Sequence, residues 1–457
     1  MEAVYLIVGI VLVLGVMVLI HEWGHFVVAR MCKVRVDVFS IGFGPRLFGW
    51  KKGPTDYRIS ALPLGGYVRM AGQDPTEVDS QGRFGSAAPG EAVPVPTGAP
   101  DELMSKRRWQ RALISVAGPF VNLIFPLFLL SGMFAIVGVP YPAYFNAPLK
   151  VTELPPAAAS QNPLRPGDTV LSVNGIATPN WEQALLALKN VAPGTSAKVE
   201  IEDAVGRRTV ALPVFDKSDS TKIFGFAPIR PIIDQVGPGT PAERGGLREG
   251  DLITAVNGKK IDYWEQFQKL TRGSNGQPMK LDVSRKGQQL QVTVVPKKGA
   301  AEPGDNIYEI GIGLPDVSAY KHVSFADSVK FSGLETYAVV AETVDVVGKL
   351  FSGQVSIKQL QGPVGISHMA GQAVRKGPQY VINLMVVISV NLGILNLLPI
   401  PILDGGNILL LFIEGVMRRD LSMNFKERFV QIGLVFLLVI FAIVMYNDIL
   451  RRITSHG

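Results

Sequence analysis

Two histidines and a glutamate, His21, Glu22 and His25, sit inside the apolar run "VLIHEWGHFVVAR". In a helix, residues four apart stack on one face. Two imidazoles at that spacing can hold one divalent metal, and the intervening carboxylate can serve as a base toward water. The H-E-x-x-H pattern also arises by chance in soluble helices. Here it falls at membrane depth, where ionisable side chains are costly and mark function.

A catalytic zinc takes three protein ligands and leaves one position open. The extended form of the motif would need Gly at 28 and His at 31, where this chain has Val28 and Met31. The other histidines, His322, His368 and His456, are expected outside the membrane or at the tail. Cys32 is the single cysteine, which excludes an intrachain disulfide and a cysteine-based metal site. The candidate third ligand is Asp404, which ends a long apolar run in "NLGILNLLPIPILDGGNILLL". His21 lies about 25 Å along a helix begun at Val4, so both sites fall at similar depth if both runs cross in the same direction. The competing role for Asp404 is a cap or turn residue before Gly405-Gly406.

These residues need a membrane scaffold, and the composition supplies one. Hydrophobic residues make up 47% of the 457, and they are clumped. Four clumps, 4–29, 112–139, 380–403 and 429–446, reach the roughly 20 residues a spanning helix requires. The first lacks a basic leader and a small-residue cleavage site and reads as a retained span. Net charge is +7, and its placement is informative. Arg30, Lys33, Arg35, Arg46, Lys51, Lys52, Arg58, Arg69 and the Lys106, Arg107, Arg108, Arg111 cluster follow the first clump; Arg418, Arg419, Lys426 and Arg428 follow the third. The positive-inside rule makes both loops cytoplasmic. Both chain ends and the 140–379 region then lie outside, with Arg451 and Arg452 against the rule.

The outer region contains a repeat. "LRPGDTVLSVNG" from Leu164 returns as "LREGDLITAVNG" from Leu247, and the same offset relates "WEQ" at Trp181 to "WEQ" at Trp264. Each copy predicts short strands (169–173 and 252–256), an Asn-Gly turn, a helix after the Trp, and further strands (198–201 and 280–283). Residues 73–105, rich in Pro, Gly and Ala, read as a flexible loop. Tyr337, Val340, Val344, Val347 and Phe351 fall at helical spacing, which predicts an amphipathic helix over 323–351 that lies on the membrane surface or packs on the repeat pair, with ordinary core packing the favoured role of its apolar side. Stretches 36–44 and 57–70 can form a hairpin about Lys52-Gly53-Pro54.

"GTPAERGGLREGDLITAVNGKKI" resembles the PDZ domains of bacterial envelope proteases, and "IFGFAPI" looks like their peptide-binding loop and strand. That likeness marks Ile223, Phe224, Gly225 and Phe226, and PDZ domains bind extended chains by strand addition. With "HEWGH", "AGPFVN", "NLLPIPILDGG" and the tandem PDZ-like copies together, the chain resembles the site-2 intramembrane zinc metalloproteases, in the branch found in Gram-negative bacteria. The resemblance implies His21, His25 and Asp404 as ligands of one Zn²⁺ per chain and Glu22 as catalytic base. It also implies substrate positioning by Asn396, Pro399 and Pro401, and by a membrane-dipping sheet ending in Gly65-Gly66. Asn407 departs from the His that relatives often carry after "LDGG".

The expected fold is a polytopic α-helical membrane protein with four transmembrane helices, two inserted α+β PDZ-like domains and a small membrane-associated β-sheet. The expected divisions are spans at 1–30, 112–139, 380–411 and 429–447, a cytoplasmic loop at 31–111, PDZ-like domains at 140–217 and 222–298, and a linker at 299–379. The expected location is the bacterial inner membrane, with the PDZ-like domains periplasmic. Expected partners are single-span membrane proteins of the anti-sigma or remnant signal-peptide type, the lipid bilayer and an upstream site-1 type protease, with no nucleic acid. A membrane-anchored PDZ scaffold with a vestigial metal site is the alternative, and it gives Glu22 no reason to be present. A metal transporter is disfavoured by having one site's worth of ligands.

Overall fold

The computed structural model describes residues 2–73, 97–154, 162–192, 195–213, 221–237, 239–298, 308–314, 318–354 and 362–456. Most of the loop expected over 73–105 lies outside these. The chain forms two units, one from Met1–Val139 with His322–Leu450 and the other centred on Pro140–Lys321.

In the first unit, four helices among the described residues are long and apolar enough to cross a membrane: Val4–Met31, Arg108–Ile136, Pro378–Leu397 and Met423–Ile449. The first is α1 (Glu2–Ile10), a π-helical turn (Val11–Gly15) and α2 (Val16–Met31) in sequence. The turn inserts a local bulge six residues before His21. α3 (Arg108–Ile136) carries Pro119 and Pro126 within it and packs on α2. Close approach there depends on Gly24, where a Cβ would meet the Ala117 carbonyl. This small-residue contact replaces the hydrophobic drive that is missing between helices in lipid.

Between α2 and α3 lie β1 (Val36–Lys52) and β2 (Thr55–Met70), joined by a tight turn at Gly53, whose φ is 62°. The long strands fold back on themselves. Residues 46–52 pair with 55–60, while 38–41 pair with 56–59 on one side and 66–69 on the other. The result is a compact four-segment sheet whose last segment, 66–70, forms an edge. Val36, Val68 and Met70 seal it onto Ala29 and Ile114 of α2 and α3.

In the second unit, β3 (Thr169–Val173), β4 (Ile176–Ala177), α4 (Trp181–Lys189), β5 (Ala197–Glu202) and β6 (Arg207–Leu212) form the first copy. The second repeats it with α5 (Pro241–Arg244), β7 (Leu252–Val256), β8 (Lys259–Lys260), α6 (Trp264–Arg272), β9 (Met279–Arg285) and β10 (Gln288–Val294). The sheets have the same order, β4-β3-β5-β6 and β8-β7-β9-β10. Asn174 and Asn257 open the Asn-Gly turns at φ 50°, a conformation that Asn tolerates better than most residues.

The boundary expected between the copies, 217 to 222, is corrected. Ile223 and Phe224 belong to the first core with Leu149, Val151 and Trp181. Thr152 N–H donates to the Phe224 carbonyl at 2.9 Å, and its hydroxyl donates to that of Phe226 at 2.7 Å. The second copy closes the same way, with Ile310 in its core and Ala242 N–H donating to the Ile310 carbonyl. Gly225 (φ 83°) and Gly311 (φ 80°) occupy matching places, each so close to a threonine, Thr152 or Thr240, that a Cβ would overlap it. Each copy therefore ends on its apolar-Gly-apolar loop. "IFGF" reads as the start of the second copy because it comes just before it in sequence.

Two further helices depart from expectation. α7 (Phe325–Phe351) exists, but it buries Ser328, Ser332 and Thr336 and turns Phe325, Tyr337 and Phe351 outward at 70–73% exposure. Its inner stripe packs on α3, where the Ser332 and Ser131 hydroxyls bond at 2.7 Å. The side that meets α3 is the small polar stripe, and the large apolar residues are not packed as the core expected. α8 (Pro363–Lys376) falls in the stretch expected to be linker. It docks on α1 at Gly9 and Gly371, which admit the partner backbone.

α9 (Pro378–Leu397) ends before the prolines, and α10 (Asp404–Met417) begins after them. A single span over 380–411 is therefore corrected to two helices with a break at 398–403. α11 (Met423–His456) is the last helix. Glu414 of α10, 1% exposed, is held by Lys426 at 3.1 Å, which ties α10 to α11.

In the second copy, burial alone would raise the Asp251 carboxyl, but the Arg285 guanidinium and the Arg248 N–H outweigh it and hold the group below the ordinary carboxylate range. Asp251 is fully buried, with Arg285 Nε at 2.7 Å. A depressed carboxyl contributes stability above its unfolded pKa and loses it as pH falls through the folded one. Asp251→Ala should destabilise this copy by about 2–3 kcal/mol at neutral pH, with the deficit shrinking in acid. Amide hydrogen exchange of β7 and β9 in the full chain measures it; unchanged protection at neutral pH would show the pair to be dispensable.

Candidate metal and active site

His21 and His25 occupy one face of α2, with rings edge to face and centroids 4.8 Å apart. Their Nε2 atoms are 3.1 Å apart. Asp404 reaches both, with Oδ2 3.2 Å from His21 Nε2 and Oδ1 3.5 Å from His25 Nε2. A tetrahedral zinc with bonds of about 2.0–2.1 Å has ligand–ligand edges near 3.3 Å. The three groups therefore fit such an ion, and among the described residues they form the only cluster of three or more His, Cys, Asp or Glu able to hold one.

Other residues orient these side chains. His25 Nδ1 is 2.8 Å from the Ile114 carbonyl. A carbonyl only accepts, so Nδ1 carries the proton and Nε2 presents its lone pair toward Asp404. Gly118 leaves room for that ring, since a Cβ there would overlap the imidazole. Asn122 lies 3.2 Å from His21 Nδ1. Ile114, Gly118 and Asn122 fall on one face of α3, and the last two belong to "AGPFVN". Their spacing of four, on an otherwise apolar stretch of helix, is the signal the sequence carries for them; neither is among the site residues expected from it.

Asp404 owes its place to the break in the helix. Ile402 has φ 82°, an uncommon and strained state for a β-branched residue. Gly405 and Gly406 pack so tightly under the 397–401 backbone that neither admits a Cβ. Asp404 is the first residue of α10, where the helix dipole favours a carboxylate.

Glu22, 9% exposed, accepts a hydrogen bond from the Val68 N–H. The edge segment 66–70 is thereby set against the carboxylate that follows His21. Gly66 lies beside it, and a Cβ there would be 3.7 Å from Glu22 Cγ and 2.6 Å from the Ser40 carbonyl. Gly65 is at φ 148° against the Phe43 ring. Asn396 Nδ2 is 3.4 Å from His21 Nε2. Of the expected proline pair, Pro399 is exposed, and Pro401 packs on α11 at Gly433, where a Cβ would overlap it. Ile223, Phe224 and Phe226 are core residues of the first PDZ-like copy, and Gly225 is its turn.

The profile of peptidase family M50 matches residues 9–440. The chain is 32% identical to Protease RseP of Yersinia pestis over 99% of this chain and 100% of that one. It is also 32% identical to Regulator of sigma-E protease RseP of Escherichia coli K12, covering 96% of this chain and 97% of the relative. A Vibrio cholerae protein provisionally named a zinc metalloprotease is 31% identical over 97% of this chain and 98% of its own length. Among solved structures, the PDZ domain of an SdrC-like protein from Listeria monocytogenes aligns with 20% of this chain and 92% of that domain, at 22% identity and a TM-score of 0.17.

Gly118→Ala should push the His25 ring aside and weaken metal binding by about tenfold or more, the scale of effects on ligand orientation. Gly132→Ala, in the same helix with open space around it, is the control and should change nothing. Metal content of the purified proteins after dialysis against a buffered zinc series reads the difference.

Proposed function

Because the chain belongs to peptidase family M50, the site-2 type of membrane metallopeptidase, we propose that it cleaves single-span membrane proteins at a zinc held by His21, His25 and Asp404, one ion per chain. The observation that carries this reading is the convergence of two Nε2 atoms and one carboxylate at 3.1–3.5 Å beside Glu22. A zinc ion there supplies Lewis acidity and lowers the pKa of water toward about 7.

The remaining steps belong to the chain's own groups. Glu22 takes the proton from the attacking water and delivers it to the leaving amine. The Val68 N–H holds the Glu22 carboxylate in place. A helical substrate hides its amides, so it must be drawn out before a carbonyl can be attacked. The edge segment 66–70 is suited to this, because an extended strand added to it is held by backbone hydrogen bonds next to Glu22. Gly65 and Gly66 keep the edge free of side chains at that point. Asn396 is close enough to His21 to hold the substrate backbone near the reacting carbonyl. Pro399 and Pro401 serve by breaking the helix, so that Asp404 turns inward.

We place the basic loops after the first and third spans in the cytoplasm, which puts both chain ends and the PDZ-like pair in the periplasm of an inner membrane. On that reading the pair restrains bulky ectodomains, so that an upstream site-1 type protease must first trim the substrate. The residues proposed for chemistry all belong to the first unit, which supports a screening role for the second. Substrates of the anti-sigma or remnant signal-peptide kind fit a chain related to regulators of sigma-E.

Glu22→Gln should retain zinc and lose cleavage by a factor of about 10² or more, whereas Asp404→Ala should lose both. Zinc analysis with cleavage of a tagged single-span substrate tests this, and full activity in either variant would end the assignment. A second experiment tests the screen. Deleting one PDZ-like copy, with its boundary after Ile229, should allow cleavage of substrates with intact ectodomains and leave short ones unaffected. Loss of cleavage for both lengths in a zinc-loaded protein would instead make the pair a delivery device.

A further inference from the structure

We propose that Asn122 is a positioning residue that sets the tautomer of His21, presenting its amide oxygen to Nδ1–H so that Nε2 faces the metal with a lone pair. The inference rests on the zinc site proposed above. Asn122 is fully buried in α3, and its side chain is anchored at one end by contact with His21. Its backbone carbonyl accepts from the Ser389 hydroxyl of α9 at 2.7 Å, which fixes that turn of the helix.

His25 has no choice of tautomer, because its Nδ1 partner is a carbonyl. His21 does, because an amide can donate from nitrogen or accept at oxygen. With the amide nitrogen toward Nδ1, as at 3.2 Å here, the imidazole proton must sit on Nε2, aimed at Asp404, and no lone pair is offered to an ion. That orientation also leaves Asn122 Oδ1 buried without a hydrogen-bond partner. A half-turn of the amide exchanges its oxygen and nitrogen without changing its shape. It then accepts from Nδ1–H, the relation that ligating histidines usually have with a neighbouring acceptor. The half-turn satisfies the ligand's requirement with no movement of α2 or α3. A leucine at 122 keeps the branched shape, with some added bulk, and could not do this.

The test measures zinc affinity by chelator competition on the full-length protein in detergent, together with melting of the metal-free forms. Asn122→Leu should weaken zinc binding about ten- to hundredfold while the metal-free protein melts as wild type. Asn122→Ala should repeat the loss without added bulk. Asn122→Asp, which keeps an acceptor in every orientation, should stay within a few-fold of wild type. Unchanged affinity in the Leu and Ala variants overturns the inference, and so does an equal loss in Asp and Leu. A wild-type protein that binds no zinc overturns the metal site itself and the role of Asn122 with it, whereas the variant outcomes leave the site standing.

Discussion

Everything in the membrane unit follows from the need to keep two imidazoles and two carboxylates paired inside an apolar layer. Unpaired, such groups are expensive to bury. α3 meets this need by lying against α2 at glycine distance. Gly24 lets the Ala117 carbonyl approach, and Gly118 lets His25 reach the Ile114 carbonyl. A larger residue at either place would separate the helices and strand the ring nitrogens without partners. The tight contact is therefore a condition of the polar cluster as much as of the packing.

The same condition explains the broken helix. A continuous helix through 380–411 would have left its prolines clashing with the preceding turn. Ending α9 at Leu397 and restarting at Asp404 places the carboxylate at a helix N-terminus, where it faces both histidines. The strained Ile402 and the two glycines that follow Asp404 are what this geometry requires locally. Such strain is tolerated when the surroundings over-determine it, and here α11 closes over Pro401 at Gly433.

The sheet and the PDZ-like pair apply one principle at two places. Both use glycine where the chain must come close to a neighbouring segment. In the sheet the edge lies against Glu22. In the pair, the Gly225 and Gly311 loops each close their own copy, and a hydrogen bond between Gln266 and Glu153 joins the two copies.

Chemistry and element types were legible from the sequence, because they depend on short-range spacing. His21 and His25 at four residues and the apolar clumps carry their meaning within a few helical turns, and the copies show themselves by matching stretches at an 83-residue offset. The strands 169–173 and 252–256 lie where alternation placed them. Asp404 is reached by its depth, given the direction of the two runs, together with the lack of another suitable His or Cys. What spacing cannot carry is which surfaces meet. That "IFGF" closes the copy before it, that α7 turns its large apolar residues away from the protein, and that Asn122 touches His21 from 101 residues away are outcomes of packing. The first depends on which core had room for Phe224. The second depends on the Ser328–Ser332–Thr336 stripe, not the apolar one, meeting α3. The third depends on two glycine-lined helices meeting, a contact between distant segments that neither sequence states on its own.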